Sequence, residues 1–229
     1  MKLLFIPGSA CGREVWVYQT RYFRDSESVV LPGHPEGRAC SSVDQYVDWL
    51  RGYILKHQYQ DVILAGHSLG GAIAQLYGLR YGDEVKALIL ISTGARLRVN
   101  PDFLKAVEGM ITNKTAWRKY LEDRYRLVAP EIRQVVIEER MRIGPGVMLS
   151  DLLCCDKFDI LDRVHTIKLP TLAICGSEDE LTPVKYTKYL ADKIEGATQV
   201  IIDGATHSVC LEKPKEVNQA IEKFLAGLH

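Results

Sequence analysis

Three places in this 229-residue chain carry the residue types that nucleophilic catalysis needs: Ser68, the acidic run Glu178-Asp179-Glu180, and His207. A serine hydroxyl is a weak nucleophile at neutral pH. It requires a base within hydrogen-bond reach, and that base requires an acid to orient it. Ser68 stands in Gly66-His67-Ser68-Leu69-Gly70, a G-x-S-x-G pattern. Where a strand turns into a helix, this pattern forces the serine backbone into a strained conformation that lifts its hydroxyl above the sheet, while the flanking glycines let neighbouring segments approach.

The surrounding sequence supplies that junction. Asp61 to Ala65 reads as a short buried strand and Ala72 to Tyr81 as a helix. Two later runs, Ala173 to Gly176 and Val200 to Asp203, read as strand ends that lead within a few residues to the acidic run and to His207. In a parallel sheet, side chains that follow strands in this way converge on one edge. Lys2 to Ile6, Val29 to Leu31, Ala87 to Ile91, Thr171 to Cys175 and Thr198 to Ile202 complete a predicted set of six strands. Helical patterns at Glu14 to Phe23, Val43 to His57, Pro183 to Ile194 and Lys215 to Leu225 alternate with them, which implies a parallel sheet covered on both faces.

One stretch breaks the alternation. Between about Gly94 and His165 the patterns are helical only: Asp102 to Met110, Thr115 to Val128, Pro130 to Ile143 and Val147 to Cys155. Pro130 suits a first helical position, and Gly144-Pro145-Gly146 separates two of the helices. An insertion after the strand at Ala87 to Ile91 is expected over the carboxyl ends of the strands, where open α/β sheets bind ligands. Phe103, Met110, Trp117, Tyr120 and Met148 are candidates to line a substrate pocket beneath it or to form its own core.

Composition narrows the function classes. Lysine plus arginine and aspartate plus glutamate both total 29, so the net charge is zero and nothing favours electrostatic capture of nucleic acid or an anionic membrane. The six cysteines contain no C-x-x-C, and adjacent Cys154 and Cys155 are poor disulfide partners; reduced thiols in a cytoplasmic protein are expected. The N-terminal apolar run stops at Pro7, short of the roughly 7–15 residues of a signal core. No ligand cluster with metal spacing appears, so neither a metal nor an organic cofactor is implied.

Taken together, Gly66-His67-Ser68-Leu69-Gly70-Gly71, the pattern Gly176-x-x-Asp179-x-x-x-Pro183, and His207 with downstream Glu212, Pro214 and Val217 resemble the α/β-hydrolase superfamily, in its serine-nucleophile, carboxylesterase-like branch. The order Ser, Asp, His is the family's own. The resemblance implies Ser68 as nucleophile, His207 as general base and then acid, and Asp179 as the acid that orients it. It assigns one oxyanion-hole donor to the backbone N–H of Leu69 and the other to the loop after the first strand, with Ser9 ahead of Ala10. Pro7-Gly8 stands where the family usually has His-Gly. The resemblance also gives structural roles to His67 and to His34, which lies in a loop similar to the family's PGHG.

The expected architecture is an α/β-hydrolase fold trimmed to about six strands, all parallel, flanked by helices. Residues 1–93 and 166–229 form its core and residues 94–165 a helical lid. The expected activity is cleavage of a carboxylic ester of a small or medium apolar substrate through an acyl-enzyme. Thioesters, lactones and carbon–carbon bonds are alternatives for the same triad, and a non-catalytic ligand receptor on this fold is a further one. Either a monomer or a homodimer fits the sequence.

Overall fold

In the computed structural model, which describes residues 1–228, the chain alternates as the apolar periodicity dictates. In order, it forms β1 (Lys2–Ile6), α1 (Val17–Tyr22), β2 (Ser26–Ser28), α2 (Val43–Lys56), β3 (Val62–His67), α3 (Leu69–Tyr81) and β4 (Val85–Ile91). Four consecutive helices follow: α4 (Pro101–Met110), α5 (Lys114–Arg124), α6 (Pro130–Ile143) and α7 (Pro145–Lys157). The chain closes with β5 (Thr171–Gly176), α8 (Val184–Lys193), β6 (Thr198–Ile202), α9 (Val209–Glu212) and α10 (Pro214–Ala226).

The six strands make one sheet in the order β2-β1-β3-β4-β5-β6, and every neighbouring pair is parallel. Every residue of β3 and β5 is buried, as expected of strands with helices on both faces. Alternation along the strands splits the core in two. Leu4, Ile6, Leu64 and Leu88 face the layer that holds α2 and α3, while Leu3, Phe5, Ile63 and Ile89 face Trp16, Val217 and Ile221 on the other side.

The edge strand β2 differs from the expectation of a strand at Val29 to Leu31: it lies three residues earlier, pairing Leu3, Leu4 and Phe5 with Ser26, Glu27 and Ser28. The polar segment takes the ladder because an edge strand can face water. Val29 and Leu31 are fully buried, and after one last bond from Val29 N–H to the Phe5 carbonyl the chain leaves the ladder.

Because β2 lies on one side of β1 and β3 on the other, the chain reverses direction across the sheet between β1 and β3. This is the topological switch point, where the carboxyl ends of strands open a crevice. Ser9 follows β1 and Ser68 follows β3, so both stand at that crevice. Helices α4 to α7 reach the same place: Phe103 of α4 and Leu152 of α7 line a cavity together with Ser68. No helix among the described residues is long and apolar enough to cross a membrane.

Candidate active site

Ser68 is the single residue between β3 and α3, and its backbone is held at φ 54°, ψ −115°. A non-glycine residue in this region costs on the order of 1–3 kcal/mol and persists only where its surroundings determine it. Here they do. Ser68 N–H donates to the Ile91 carbonyl at 3.0 Å, and the Ser68 carbonyl accepts from Thr93 Oγ1 at 2.9 Å and from Gly71 N–H at 2.9 Å. The tightness of the turn depends on Gly66, where a Cβ would collide with the Gly70 carbonyl oxygen.

His207 and Asp179 arrive from the ends of β6 and β5. His207 Nδ1 lies 2.9 Å from Asp179 Oδ2 and 3.0 Å from Oδ1, with both side chains almost fully buried. The carboxylate can only accept, so Nδ1 carries the proton and Nε2 is left as the basic nitrogen. Asp179 is further held by Thr182 Oγ1 at 2.8 Å and by the N–H groups of Leu181 and Thr182 at 3.0 and 2.9 Å. Burial pushes the Asp179 carboxyl up, but His207 beside it and the donors from Thr182 outweigh burial and hold it well below the usual carboxylate range. Burial lowers the His207 pKa from its ordinary value, and Asp179 opposes that only in part. Neighbouring Glu178 and Glu180 are exposed and border the outer mouth of the site instead.

Among the described residues, no hydrogen bond of 3.5 Å or less joins the Ser68 hydroxyl to His207; the two line the same cavities. Such contacts are often open without substrate and tighten on binding. His67 fixes the other side of the histidine: its Nε2 lies 2.8 Å from the His207 carbonyl oxygen. Burial, together with the nearby His207, depresses the His67 pKa to about 3, so this ring is a neutral donor that anchors the His207 backbone.

The loop after β1 closes on Ser68 from the opposite side. A Cβ at Gly8 would lie 2.8 Å from His67 Nδ1 and 3.2 Å from Ser68 Cβ, so the backbone of this loop is in contact with the serine turn. Leu69 begins α3, where backbone N–H groups lack intrahelical acceptors and favour negative charge. Ala10 N–H is already committed to Asp151 Oδ2 at 2.8 Å, which leaves Ser9 as the donor candidate of this loop.

The same loop is gripped by residues of α6 and α7 that sequence reading did not single out. Arg140 Nε donates to the Ala10 carbonyl at 3.0 Å, its Nη2 to the Ser9 carbonyl at 3.2 Å, and its Nη1 to Tyr125 Oη at 2.9 Å. Arg140 is 3 % exposed, has no carboxylate within 4.0 Å among the described residues, and lies 5.4 Å and 5.6 Å from the centroids of Trp117 and Tyr125. Asp151, also buried, accepts from Tyr46 Oη at 2.6 Å and lies 3.0 Å from His34 Nε2, while His34 Nδ1 is 2.8 Å from the Cys11 carbonyl. Glu139 accepts from Arg13 and Glu14 N–H at 2.9 and 3.2 Å. Among the described residues, no group of three or more His, Cys, Asp or Glu side chains is placed to hold a metal ion.

Of the five candidate pocket residues, Phe103, Tyr120 and Met148 line the cavity beside Ser68. Trp117 is buried within the helical segment, where it stacks on Tyr120 and donates from Nε1 to the Arg140 carbonyl at 3.3 Å. Met110 is half-buried and packs against the same cluster as Trp117. Leu152, Leu181, Tyr125 and Arg124 also line the cavity and had no distinguishing sequence signal.

Comparison with known proteins bears on the family and the fold. The model of the alpha/beta hydrolase family matches residues 3–220. A thermophilic esterase of known structure superposes with a TM-score of 0.82 at 34% identity, covering 99% of this chain and 90% of the esterase. The AB hydrolase superfamily protein YisY of Bacillus subtilis is 30% identical over 200 residues, 79% of this chain and 72% of its own. The monoacylglycerol lipase abhd6-A of Xenopus laevis is 25% identical over 257 residues, covering 99% of this chain and 75% of the lipase. With its parallel six-stranded sheet and a family match over nearly its whole length, the chain belongs to the alpha/beta hydrolase family.

Proposed function

We propose that this protein is a serine hydrolase that cleaves carboxylic esters through an acyl-enzyme. The observation that carries the reading is a strained Ser68 turn sharing one cavity with a His207 paired to Asp179. Esterases and lipases among its relatives support the same class.

In this reading Ser68 Oγ attacks the ester carbonyl carbon as its proton passes to His207 Nε2. Asp179 keeps Nδ1–H oriented and stabilises the imidazolium that forms. The carbonyl oxygen becomes an oxyanion, met by the N–H groups of Leu69 and Ser9, each such donor being worth about 2.7–4 kcal/mol to the transition state. Collapse breaks the ester C–O bond, and the alcohol departs with the proton from His207. Water, deprotonated by His207, then attacks the acyl carbon and releases the carboxylic acid and free Ser68. Helices α4 to α7 act as the lid of the site, with Phe103 and Met148 in its substrate-facing wall. The six free thiols support residence in a reducing compartment such as the cytoplasm.

The test is a panel of p-nitrophenyl esters, thioesters and lactones assayed with the wild type and Ser68→Ala. Ester turnover that disappears in Ser68→Ala supports the reading. Turnover confined to thioesters or lactones would move the assignment to those bonds, and tight ligand binding with no turnover at all would favour a receptor.

A further inference from the structure

The wall of one cavity beside Ser68 carries charge of one sign. Arg124 and Arg140 both line it, and no aspartate or glutamate does. Neither arginine has a carboxylate within 4.0 Å among the described residues. The acids in the vicinity are committed or lie elsewhere. Asp179 pairs with His207, Asp151 accepts from Ala10 N–H and Tyr46 Oη, and Asp123, Glu178 and Glu180 border neighbouring spaces but not this one. From this wall, and on the ester-hydrolase reading above, we infer that the enzyme acts on esters that also carry a carboxylate, held at Arg124 and Arg140.

A cation taken out of water is stable only where opposite charge or strong acceptors replace the water. For Arg140 the replacement is incomplete. Nε donates to the Ala10 carbonyl, Nη2 to the Ser9 carbonyl and Nη1 to Tyr125 Oη, all uncharged acceptors, and the second hydrogen on Nη1 has no acceptor among the described residues. Bracing the Ser9–Ala10 loop accounts for these bonds. It does not account for Arg124, which is half-buried, makes no side-chain hydrogen bond among the described residues, and stands on the same wall. Burial is the main cause that lowers the pKa of His67 and of His207, and the Arg124 charge adds to it in both, so that charge is felt at the histidine end of the space.

Filling the space changes the electrostatics of both side chains. A neutral group displaces the water that screens the two guanidinium groups and offers nothing in its place, whereas a carboxylate replaces that water with charge-assisted hydrogen bonds. The dimensions agree. The space holds about 50 Å³, and about 10–15 Å³ on this measure accommodates one water-sized group, so a carboxylate fits. Arg124, with Phe103, Tyr120, Leu181 and His207, also lines an adjoining space of about 280 Å³, which gives the rest of the molecule room to extend past Arg124. The wall selects charge, whether the carboxylate belongs to the acyl or to the alcohol part.

The experiment measures kcat/KM for two matched pairs of esters. Monoethyl succinate against ethyl butanoate places the carboxylate on the acyl group, and 4-acetoxybenzoate against 4-methylphenyl acetate places it on the alcohol. The expected result is that the anionic ester exceeds its neutral partner by about tenfold or more in at least one pair, the effect of one or two hydrogen bonds between charged groups. Neutral esters that match or exceed the anionic ones to within tenfold in both pairs overturn the inference and leave the ester-hydrolase reading intact. Absence of turnover for every ester, neutral ones included, removes the parent reading instead, and the inference falls with it. In Arg124→Gln the ratio of the preferred pair should drop about fivefold or more; Arg124 is half-buried, so this variant is expected to fold, and Arg140 is left in place because it also holds the Ser9–Ala10 loop. An unchanged ratio in Arg124→Gln contradicts the assignment of the carboxylate to this wall.

Discussion

The two halves of the site are held by different means. Asp179 and His207 are 28 residues apart and sit at the ends of neighbouring strands; the N–H groups of Leu181 and Thr182 hold Asp179, and His67 Nε2 holds the His207 carbonyl. The Ser9–Ala10 loop is fixed from far along the chain: Asp151 lies 141 residues from Ala10, and Arg140 lies 131 residues from Ser9. The proposed acid–base pair is therefore held by the turn after β5 and by His67 at the end of β3. The loop proposed to hold the oxyanion is held by Asp151 of α7 and Arg140 of α6, so on this reading the helical segment positions the site as well as acting as its lid.

Variants can separate the two halves. The largest effect is expected at the reacting groups: Ser68→Ala and His207→Ala should each lower kcat by about 10⁴–10⁶, because residues that act as a unit fail together. A loss below tenfold for either contradicts the assignment. Arg140→Met should lower kcat by about 10² with KM nearly unchanged, since a loop displaced by about 1 Å loses its alignment with the oxyanion but little ground-state binding. An effect confined to KM would show that Arg140 serves binding and not the loop.

The acid–base half should show itself in pH dependence. In the proposed mechanism His207 must be neutral to accept the serine proton, and burial lowers its pKa from the ordinary value of 6.5. In a pH–rate profile, kcat/KM should therefore fall about tenfold per pH unit on the acid side, with a midpoint below 6.5. A midpoint at or above 7 contradicts a buried histidine base. The smallest effect is expected for Thr182→Val, a loss of a few-fold in kcat, because Asp179 keeps the backbone donors of Leu181 and Thr182. A loss beyond about 10² would mean that Thr182 orients the imidazole directly, consistent with its Oγ1 lying 3.1 Å from His207 Nδ1.

The contrast between the halves also explains what was legible in the sequence. Ser68, Asp179 and His207 stand beside apolar strand-like runs, which local periodicity reports, while the choice of Asp179 over Glu178 and Glu180 rests on the spacing of the family the sequence resembles. Arg140 was not legible: it follows Glu138 and Glu139, and three consecutive charges read as a solvated helix face, yet the first is exposed and Arg140 is buried. Only the tertiary fold, which brings α6 against the loop after β1, turns that residue inward. Asp151 left a faint trace as a lone acid in the run Leu149 to Cys155, a position that burial makes costly unless partners are present. The displaced edge strand has a similar origin. Val29 to Leu31 carries the apolar signal of a strand, but burial without pairing satisfies those side chains equally well.

The most direct measurement of the central claim is covalent labelling with a fluorophosphonate, followed by peptide mapping. The account predicts one label per chain, on Ser68, with labelling abolished in Ser68→Ala and strongly slowed in His207→Ala. A label on any other residue, or equal labelling rates in the wild type and His207→Ala, would contradict it.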